Sequence, residues 1–218
     1  MERLVVRHCL KPSLQCLPPN LCLDNQFAYR QDSSTTCALI ALLTHITELL
    51  KINSCVHVIS FDYSKAFDTL SHSHLSQNLA ELDLKPNEYN WILNYLTNRE
   101  HVTKFHGETS SSKVINASIV QGSVLGPTLF NINSASLKPI DAGNRYFKYA
   151  DDGYLVVPGS NSSTIPLETQ HHKKWAAASH LKLNIDKMQE IIFKSKKNLQ
   201  TVHILPVYKV SAARRFWE

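Results

Sequence analysis

Three aspartates stand where their carboxylates could share a metal ion. Asp62 follows the β-branched run CVHVISF, and Asp151 and Asp152 lie in a tight turn between the apolar arms RYFKYA and GYLVVP. Such runs predict short buried strands that carry the carboxylates at their ends. Two carboxylates about 4 Å apart repel each other by roughly 4 kcal/mol at an effective dielectric constant near 20. The predicted cluster therefore needs a cation or a proton.

Magnesium is the cation that best suits such a cluster. It prefers carboxylate oxygens, water and substrate phosphates, and two ions about 4 Å apart can stabilise both the attacking and the leaving oxygen of a phosphoryl transfer. We expect two Mg²⁺ ions, with Mn²⁺ as a substitute, because the ligands are oxygens. Either motif alone is more often a plain turn or a helix cap, since Asp and Gly are common turn residues. That alternative stays open at this point.

The elements around the aspartates alternate between strands and helices. Residues 34–51 follow the capping residues SSTT and predict a packed helix, because their apolar positions form one stripe: Leu39, Leu42, Leu43, Ile46, Leu49 and Leu50. Two helices are expected after Asp62, the second beginning near Pro86. HVTKFHG and KVINASIV predict strands, TLFNINSASL a helix after the loop QGSVLGP, HHKKWAAASHLKL another helix, and EIIF a last strand. The order predicts an α+β fold with helices packed on one face of the sheet.

Composition and charge limit the class of protein only loosely. A chain of 218 residues with 43% hydrophobic content predicts a single compact unit. The net charge of +5 suits a partner with a phosphate backbone, and it also suits many ordinary soluble proteins. The five cysteines lack zinc spacing and are expected to be reduced, mostly structural thiols. No signal peptide or run of transmembrane length is expected, so the prediction is an intracellular protein without a membrane partner or an obligate protein partner.

Five segments carry a resemblance to a known family. QFAYR, FDYSKAFD, IVQGSVLGP, KYADD and LKLNIDK occur in the order found in reverse transcriptases of LINE-type, non-LTR retrotransposons, which the sequence resembles over about residues 1–197. The resemblance implies a polymerase palm, an antiparallel sheet with a YxDD hairpin, plus partial helical fingers. It divides the chain into partial fingers at 1–55, a palm with fingers-derived insertions at 56–197, and a divergent tail at 198–218 without a thumb. Further fingers sequence is expected to precede Met1 in the family.

The same resemblance implies an RNA-directed DNA polymerase site. Asp62 and Asp151 would bind both magnesium ions, Asp152 would assist nearby, and the backbone carbonyl of Tyr63 would supply another oxygen. The implied reaction is attack of a DNA primer 3′-hydroxyl on the α-phosphate of a deoxynucleoside triphosphate, directed by an RNA template.

Three further residues gain roles from the resemblance. Phe67 would lie beneath the incoming sugar and exclude a ribose 2′-hydroxyl, while the ordinary alternative is a core phenylalanine. Gln121 and Gly122 would contact the nascent base pair and template, with Gly allowing close backbone approach. The ordinary alternative for this pair is a turn before a helix. Val120 stands where the family usually has proline, so the loop conformation stays open. Asp68 is expected to cap or position a helix and not to bind metal.

Two basic residues and two pairs of histidines complete the candidates. Arg30 in QFAYR resembles a fingers residue near the template or the triphosphate, and a solvent-facing arginine is an equal alternative. Lys187 falls where the family has a lysine that protonates pyrophosphate, although Met188 replaces the threonine that commonly follows. The pairs His72/His74 and His171/His172 are expected to be ordinary surface residues.

The hypotheses for function come from different classes. An RNA-directed DNA polymerase explains all the motifs, and the alternative is an inactive retrotransposon remnant with at most residual nucleic-acid binding. A metal-dependent hydrolase would need neither Phe67, Gln121 nor a YxDD hairpin. An RNA-templated RNA polymerase is disfavoured by the aromatic residue at position 67. The sequence leaves the activity of this chain open.

Overall fold

The computed structural model of the protein describes residues 1–115, 117–195 and 203–206. Its α-helices are α1 (Glu2–Val5), α2 (Lys11–Ser13), α3 (Thr35–Ile52), α4 (Ala66–Thr69), α5 (His72–Ala80), α6 (Pro86–Leu96), α7 (Leu125–Ser134) and α8 (Ile165–Ala178). A π-helical turn covers Val6–Leu10, and 3-10 turns cover Gly159–Thr164 and Ile185–Lys187. The strands are β1 (Cys55–Phe61), β2 (Tyr63–Ser64), β3 (Arg99–His101), β4 (Lys104–Phe105), β5 (Glu108–Thr109), β6 (Lys113–Ile115), β7 (Arg145–Tyr149), β8 (Asp152–Pro158), β9 (Lys182–Leu183), β10 (Gln189–Lys194) and β11 (His203–Pro206).

A five-stranded antiparallel sheet forms the centre of the fold, in the order β11-β10-β1-β8-β7. The run CVHVISF forms the middle strand β1, whose apolar side chains pack into the cores on both faces of the sheet, as expected for a mainly apolar strand. The predicted antiparallel sheet with a YxDD hairpin, here β7 and β8, is confirmed. β11 extends the sheet past residue 197, where the palm was predicted to end. The predicted tail, 198–218, otherwise lies outside the described residues.

The main core lies on the sheet face that carries Ile59, Phe61 and Leu155. Helices α5, α7 and α8 cover this face with apolar side chains such as Leu79 and Leu129, which are fully buried. Burial of this kind is the main favourable contribution to folding, and Leu155→Ala would destabilise the fold by about 2–5 kcal/mol. Most helices therefore pack on one face, as predicted.

Helix α3 covers the other face of the sheet, and much of its surface is exposed. It begins as predicted, because the Ser34 hydroxyl accepts a hydrogen bond from the Cys37 amide. Ile46 is its only buried residue and packs against Val58 and Phe147. The predicted packing holds for Leu42, Ile46, Leu49 and Leu50 and was wrong for Leu39 and Leu43, which are exposed. An amphipathic pattern shows which face can be buried and does not supply a partner along the whole helix.

The same helix bears on the membrane prediction. Among the described residues, α3 is long and apolar enough to cross a membrane by length and composition alone, with 18 residues and a mean hydropathy of 1.4. The expectation that no run approaches transmembrane length was therefore wrong. In the structure one side of α3 contacts the sheet, and 6% of this span is buried.

The segment between β2 and β7 contains helices that pack on the main core and short strands that are mostly exposed. Helices α5 and α6 lie where two helices were predicted, with Pro86 in the first turn of α6. The predicted strands form short pairs outside the central sheet, β3 with β6 and β4 with β5. Helix α7 begins at Leu125, inside the predicted loop, because Pro127 falls in its first turn, where the missing N–H has no helical partner anyway.

Candidate active site

Asp62 lies where the chain leaves the central sheet. It separates β1 from β2, and its carbonyl accepts a hydrogen bond from the Asn184 amide at 2.9 Å. Pairing of Tyr63 with Leu183 in the small sheet of β2 and β9 fixes the backbone immediately after it. The Asp62 carboxylate is 35% exposed and lies 3.4 Å from the Lys187 ammonium group. The predicted metal ligand and the lysine predicted to protonate pyrophosphate therefore lie next to each other.

Asp151 and Asp152 lie at the tip of the hairpin formed by β7 and β8. Tyr149 pairs with Asp152, so Ala150 and Asp151 form a two-residue turn. The residue with left-handed backbone is Ala150, at φ 53°, whereas Gly153 lies within β8 opposite Lys148. The prediction that both aspartates occupy the turn was wrong by one position, because Asp152 already belongs to the strand.

The register between β1 and β8 brings the carboxylates to one edge of the sheet. Phe61 pairs with Gly153, so Asp62 follows the end of β1 where Asp152 begins β8. The pKa of Asp152 is raised, first by burial and then by the negative charges of Asp151 and Asp62. The carboxylates thus act on one another electrostatically, as the sequence predicted.

A cation fits the chemistry of this edge. The carboxylates offer only oxygen ligands and their mutual repulsion falls when a positive charge is added. Within residues 1–115, 117–195 and 203–206, no group of three or more His, Cys, Asp or Glu side chains is arranged around a common metal position. The carboxylates are therefore neighbours without forming a closed ligand set.

A cleft of 370 Å³ opens beside the carboxylates. It is lined by Ser60, Phe61, Asp62, Asp152, Tyr154, Asp186, Lys187 and Gln189. Asp186 and Tyr154 also line this cleft and were not among the residues predicted from the sequence. Asp186 adjoins Lys187 in LKLNIDK, and Tyr154 follows Asp152 by two residues, so their closeness to predicted site residues was the available signal.

Phe67 lies in an aromatic cluster near this edge. Its ring stacks on Phe130 with 4.6 Å between centroids and meets Tyr29 edge-on at 6.4 Å. The pKa of Tyr29 is raised by burial and then by the charge of Asp151, so this cluster extends toward the turn that carries Asp151. Phe67 is only partly buried, which leaves part of the ring open to a ligand. Its role beside the sugar stays a prediction.

Comparison with known proteins gives the family. The family described as reverse transcriptase (RNA-dependent DNA polymerase) matches residues 5–207. The chain belongs to the reverse transcriptase family. Three similar proteins are a probable RNA-directed DNA polymerase from transposon BS and the RNA-directed DNA polymerase from mobile element jockey, both of Drosophila melanogaster, and a Pol polyprotein from the type-1 retrotransposable element R2 of Popillia japonica. The resemblance to non-LTR retrotransposon reverse transcriptases is confirmed.

These relatives are distant and much longer than the chain. The BS protein is 31% identical over 52% of this chain and 12% of its own length, and the jockey protein is 24% identical over 90% of this chain and 22% of its own length. The R2 protein is 30% identical over 44% of this chain and 16% of its own length. This reverse transcriptase domain thus spans less than a quarter of the relatives it matches.

Solved structures confirm the palm fold. A telomerase of Candida tropicalis, in complex with a TWJ fragment of telomeric RNA, has a TM-score of 0.66 and 15% identity over 89% of this chain and 34% of that chain. A C-terminally truncated apo telomerase of the same organism has a TM-score of 0.62 and 18% identity over 91% of this chain and 44% of that chain. At such identities the likeness shows the fold alone.

In this reverse transcriptase domain, the loop that carries Gln121 and Gly122 contacts the segment FDYSKAFD. The Gln121 side-chain amide donates to the Asp68 carboxylate at 2.8 Å. Gly122 has φ 82°, in the left-handed region that favours glycine. Asp68 thus holds this loop, and the expectation that it does not bind metal stays a prediction. Contact with a base pair stays a prediction.

The Arg30 side chain hydrogen-bonds to nearby backbone carbonyl groups. Its guanidinium donates to the carbonyl oxygens of Leu23 and Gln26, and the residue lines a cleft of 660 Å³ together with Lys11 and Tyr29. Its predicted role in binding template or triphosphate is untested.

His172 was wrongly assigned to the surface. It is fully buried, its ring stacks on Phe61 at 3.7 Å, and its nitrogens hydrogen-bond the hydroxyls of Tyr63 at 2.6 Å and Tyr146 at 3.1 Å. Burial lowers the pKa of His172 to about 3, so the ring is neutral. The helical spacing of Thr169, His172 and Ala176 on the inner face of α8 was the signal that could have revealed it.

Proposed function

We propose that this reverse transcriptase domain is an RNA-directed DNA polymerase, which adds deoxynucleotides to a DNA primer 3′-hydroxyl along an RNA template. The observation that carries the proposal is the convergence of Asp62, Asp151 and Asp152 at adjacent strand ends, where burial and then the charges of Asp151 and Asp62 raise the pKa of Asp152. Three carboxylates held at one edge create a demand for cations, and phosphoryl transfer from a triphosphate requires such charge neutralisation.

The residues of the site divide the task. Asp62 and Asp151 would hold two divalent cations, Asp152 would add negative charge beside them, and the Tyr63 carbonyl would offer a further oxygen. We propose Mg²⁺, with Mn²⁺ as a substitute, because all these ligands are oxygens. When bound, such ions lower the pKa of the attacking hydroxyl and neutralise charge on the triphosphate.

The neighbouring residues would select and orient the substrates. Phe67 would oppose a ribose 2′-hydroxyl with its partly exposed side chain, and Gln121 would contact the nascent base pair from a loop that Asp68 holds. Lys187 would exchange its contact with Asp62 for a phosphate oxygen once cations neutralise the carboxylate. Alignment of the reacting groups by such contacts supplies much of the rate enhancement.

Primer extension tests the proposal. The purified chain is given an RNA template, a DNA primer, deoxynucleotides and Mg²⁺, and is compared with Asp151→Asn. We expect extension to fall by more than about 100-fold in the variant, because several kcal/mol of transition-state stabilisation is lost. Asp83→Asn is the matched control, since Asp83 is exposed and outside the cleft, and it should retain activity.

The competing proposal is an inactive retrotransposon remnant. It forecasts no extension by the folded parent chain with either Mg²⁺ or Mn²⁺, together with RNA binding that weakens steeply with salt, as expected from the net charge of +5 alone. Extension by the parent that requires Asp151 excludes the remnant. Absence of extension by a chain that retains a cooperative thermal transition excludes the polymerase activity of this chain.

A further inference from the structure

Gln26 is fully buried, and both the oxygen and the nitrogen of its side-chain amide contact Ala150, in the turn between β7 and β8. Its Oε1 atom accepts hydrogen bonds from the amides of Ala150 at 3.1 Å and Ala28 at 3.0 Å. Its Nε2 atom lies 3.4 Å from both the Ala150 carbonyl oxygen and the Ser134 hydroxyl. The donor and acceptor groups of the side chain are therefore all used, and two of the contacts hold the residue just before Asp151.

Ala150 needs such support. It occupies the first position of a two-residue hairpin turn with φ 53°, a conformation that glycine adopts readily and alanine does not. A strained turn persists only where surrounding contacts determine it, and such turns concentrate at functional sites. The strands on either side fix Tyr149 and Asp152, so the contacts of Ala150 decide how the turn presents Asp151.

The segment that carries Gln26 is itself fixed. The Phe27 amide donates to the Lys148 carbonyl and the Lys148 amide donates to the Asn25 carbonyl, so the segment lies beside β7 as a short parallel bridge. On its other side the Asn131 side chain of α7 donates to the Ala28 carbonyl at 2.9 Å. The backbone around Gln26 is thus fixed by β7 and α7, so its side chain holds Ala150 from a fixed position.

We propose that Gln26 is a positioning residue that holds the Ala150 backbone and thereby orients Asp151 toward the cation site. This inference rests on the proposed function, in which Asp151 binds metal. A buried amide that served stability alone would bond whatever partners were near. Here the Gln26 amide group hydrogen-bonds both the N–H and the C=O of Ala150, the single residue between Tyr149 and Asp151.

The test compares Gln26→Met, which keeps the volume and removes the hydrogen bonds, with a matched control. Asn78→Leu also removes a buried amide, one that donates to the Ile132 and Asn133 carbonyls and the Ser136 hydroxyl, away from the turn. Gln26→Asn, shorter by one methylene, keeps the polarity and loses the reach, and serves where Gln26→Met does not fold. Thermal unfolding ranks the stability loss of each variant.

Three readouts separate positioning from stability. Exchange of the Ala150 amide proton, followed by NMR, should become faster in the Gln26 variants and stay as in the parent in Asn78→Leu. Mn²⁺ affinity, measured by electron paramagnetic resonance, should weaken by about 10-fold or more, as for other residues that orient metal ligands. In primer extension, kcat should fall by a similar factor while KM for primer-template stays within about 2-fold of the parent.

Equal changes in Ala150 exchange and Mn²⁺ affinity in Gln26→Met and Asn78→Leu would overturn the inference. A parent chain that binds Mn²⁺ without extending primers would refute the proposed activity, and the exchange and affinity measurements would still decide the role of Gln26. If the parent bound no Mn²⁺, both the proposed function and the orientation of Asp151 toward a cation would be rejected together. Primer extension at the parental kcat by a Gln26 variant would reject the inference alone.

Discussion

The ammonium group of Lys187 lies 3.4 Å from the carboxylate of Asp62, so a cation of the chain stands beside the carboxylate that is proposed to bind metal. The two side chains are 66% and 35% exposed, and ion pairs this accessible to water contribute at most about 1 kcal/mol. A divalent cation would therefore displace Lys187 without a large penalty. The pair itself partly neutralises the charge of the Asp62 carboxylate.

Lys187→Met should strengthen Mn²⁺ binding in the absence of nucleotide, because the competing ammonium group is removed. The gain should be no more than about 5-fold, the equivalent of a contribution below about 1 kcal/mol. Titration of free Mn²⁺ by electron paramagnetic resonance at low ionic strength measures it. Lys182→Met removes an exposed lysine from β9 and should leave the affinity near that of the parent. Weaker binding in Lys187→Met would contradict the competition.

Asp152→Asn should raise the melting temperature of the metal-free protein at neutral pH. The pKa of Asp152 is raised by burial and by the charges of Asp151 and Asp62. A carboxyl whose pKa is higher in the folded state contributes stability that is full below its unfolded pKa of about 3.9 and is lost as the pH rises through the folded value. The gain from removing the charge should therefore be present at pH 7 and disappear below about pH 3.9.

Thermal unfolding in EDTA at the two pH values checks this expectation. Asp83→Asn removes one exposed carboxylate outside the site and should not reproduce the pH-dependent gain. An equal effect of Asp152→Asn at both pH values would argue against carboxylate repulsion. Added Mg²⁺ should stabilise the parent more than Asp152→Asn, because the cation relieves the same repulsion.

The parts of this site that could be predicted are those that short segments of the sequence specify. The β-branched run before Asp62 and the two apolar arms around Asp151 specify strands whose ends carry carboxylates, and these strands are adjacent in the sheet. Family motifs supplied the order of the remaining candidates. No local pattern, however, specified that Ala150 would take the left-handed conformation in place of Gly153. That choice is stabilised by Gln26, which lies 124 positions away in the chain.

Burial was predicted less well than secondary structure. Helix α3 has the apolar stripe of a packed helix, yet Leu39 and Leu43 are exposed, because the sheet surface beneath it meets only part of the stripe. His172 shows the reverse error. A histidine beside another histidine suggests a polar surface, but its partners, the hydroxyls of Tyr63 and Tyr146, come from strands that only the fold brings together.

His172→Phe should flatten the dependence of stability on pH. Burial lowers the pKa of His172 to about 3, below its unfolded value of about 6.5. A base of this kind contributes stability that is full above the unfolded pKa and is lost as the pH falls toward the folded one, by up to about 1.4 kcal/mol per pH unit. Between about pH 6 and pH 4 the free energy of unfolding should therefore fall less steeply with decreasing pH in the variant, by the contribution of this single proton.

Urea unfolding at several pH values measures the slope. At pH 7 the variant should itself be less stable, because the buried hydroxyls of Tyr63 and Tyr146 lose their partner, at about 1–3 kcal/mol each. Tyr146→Phe is the control, since it removes one of these hydrogen bonds and keeps the titrating ring. It should lower stability at pH 7 and retain the parental slope. A parental slope in His172→Phe would show that other groups account for the acid sensitivity.

Phe67→Val should weaken the discrimination against ribonucleotides. Phe67 is held by its stack on Phe130 and its edge contact with Tyr29, so the ring cannot easily swing away from an added hydroxyl. A smaller side chain opens that space, and the preference for dNTP over rNTP in single-nucleotide extension should fall by about 10- to 100-fold. Phe147→Val provides the matched control, because it removes a ring of the same size. Phe147 stacks with Phe27 in the smaller core, on the face of the sheet that α3 covers. An unchanged preference in Phe67→Val, with dNTP incorporation retained, would assign Phe67 to the core alone.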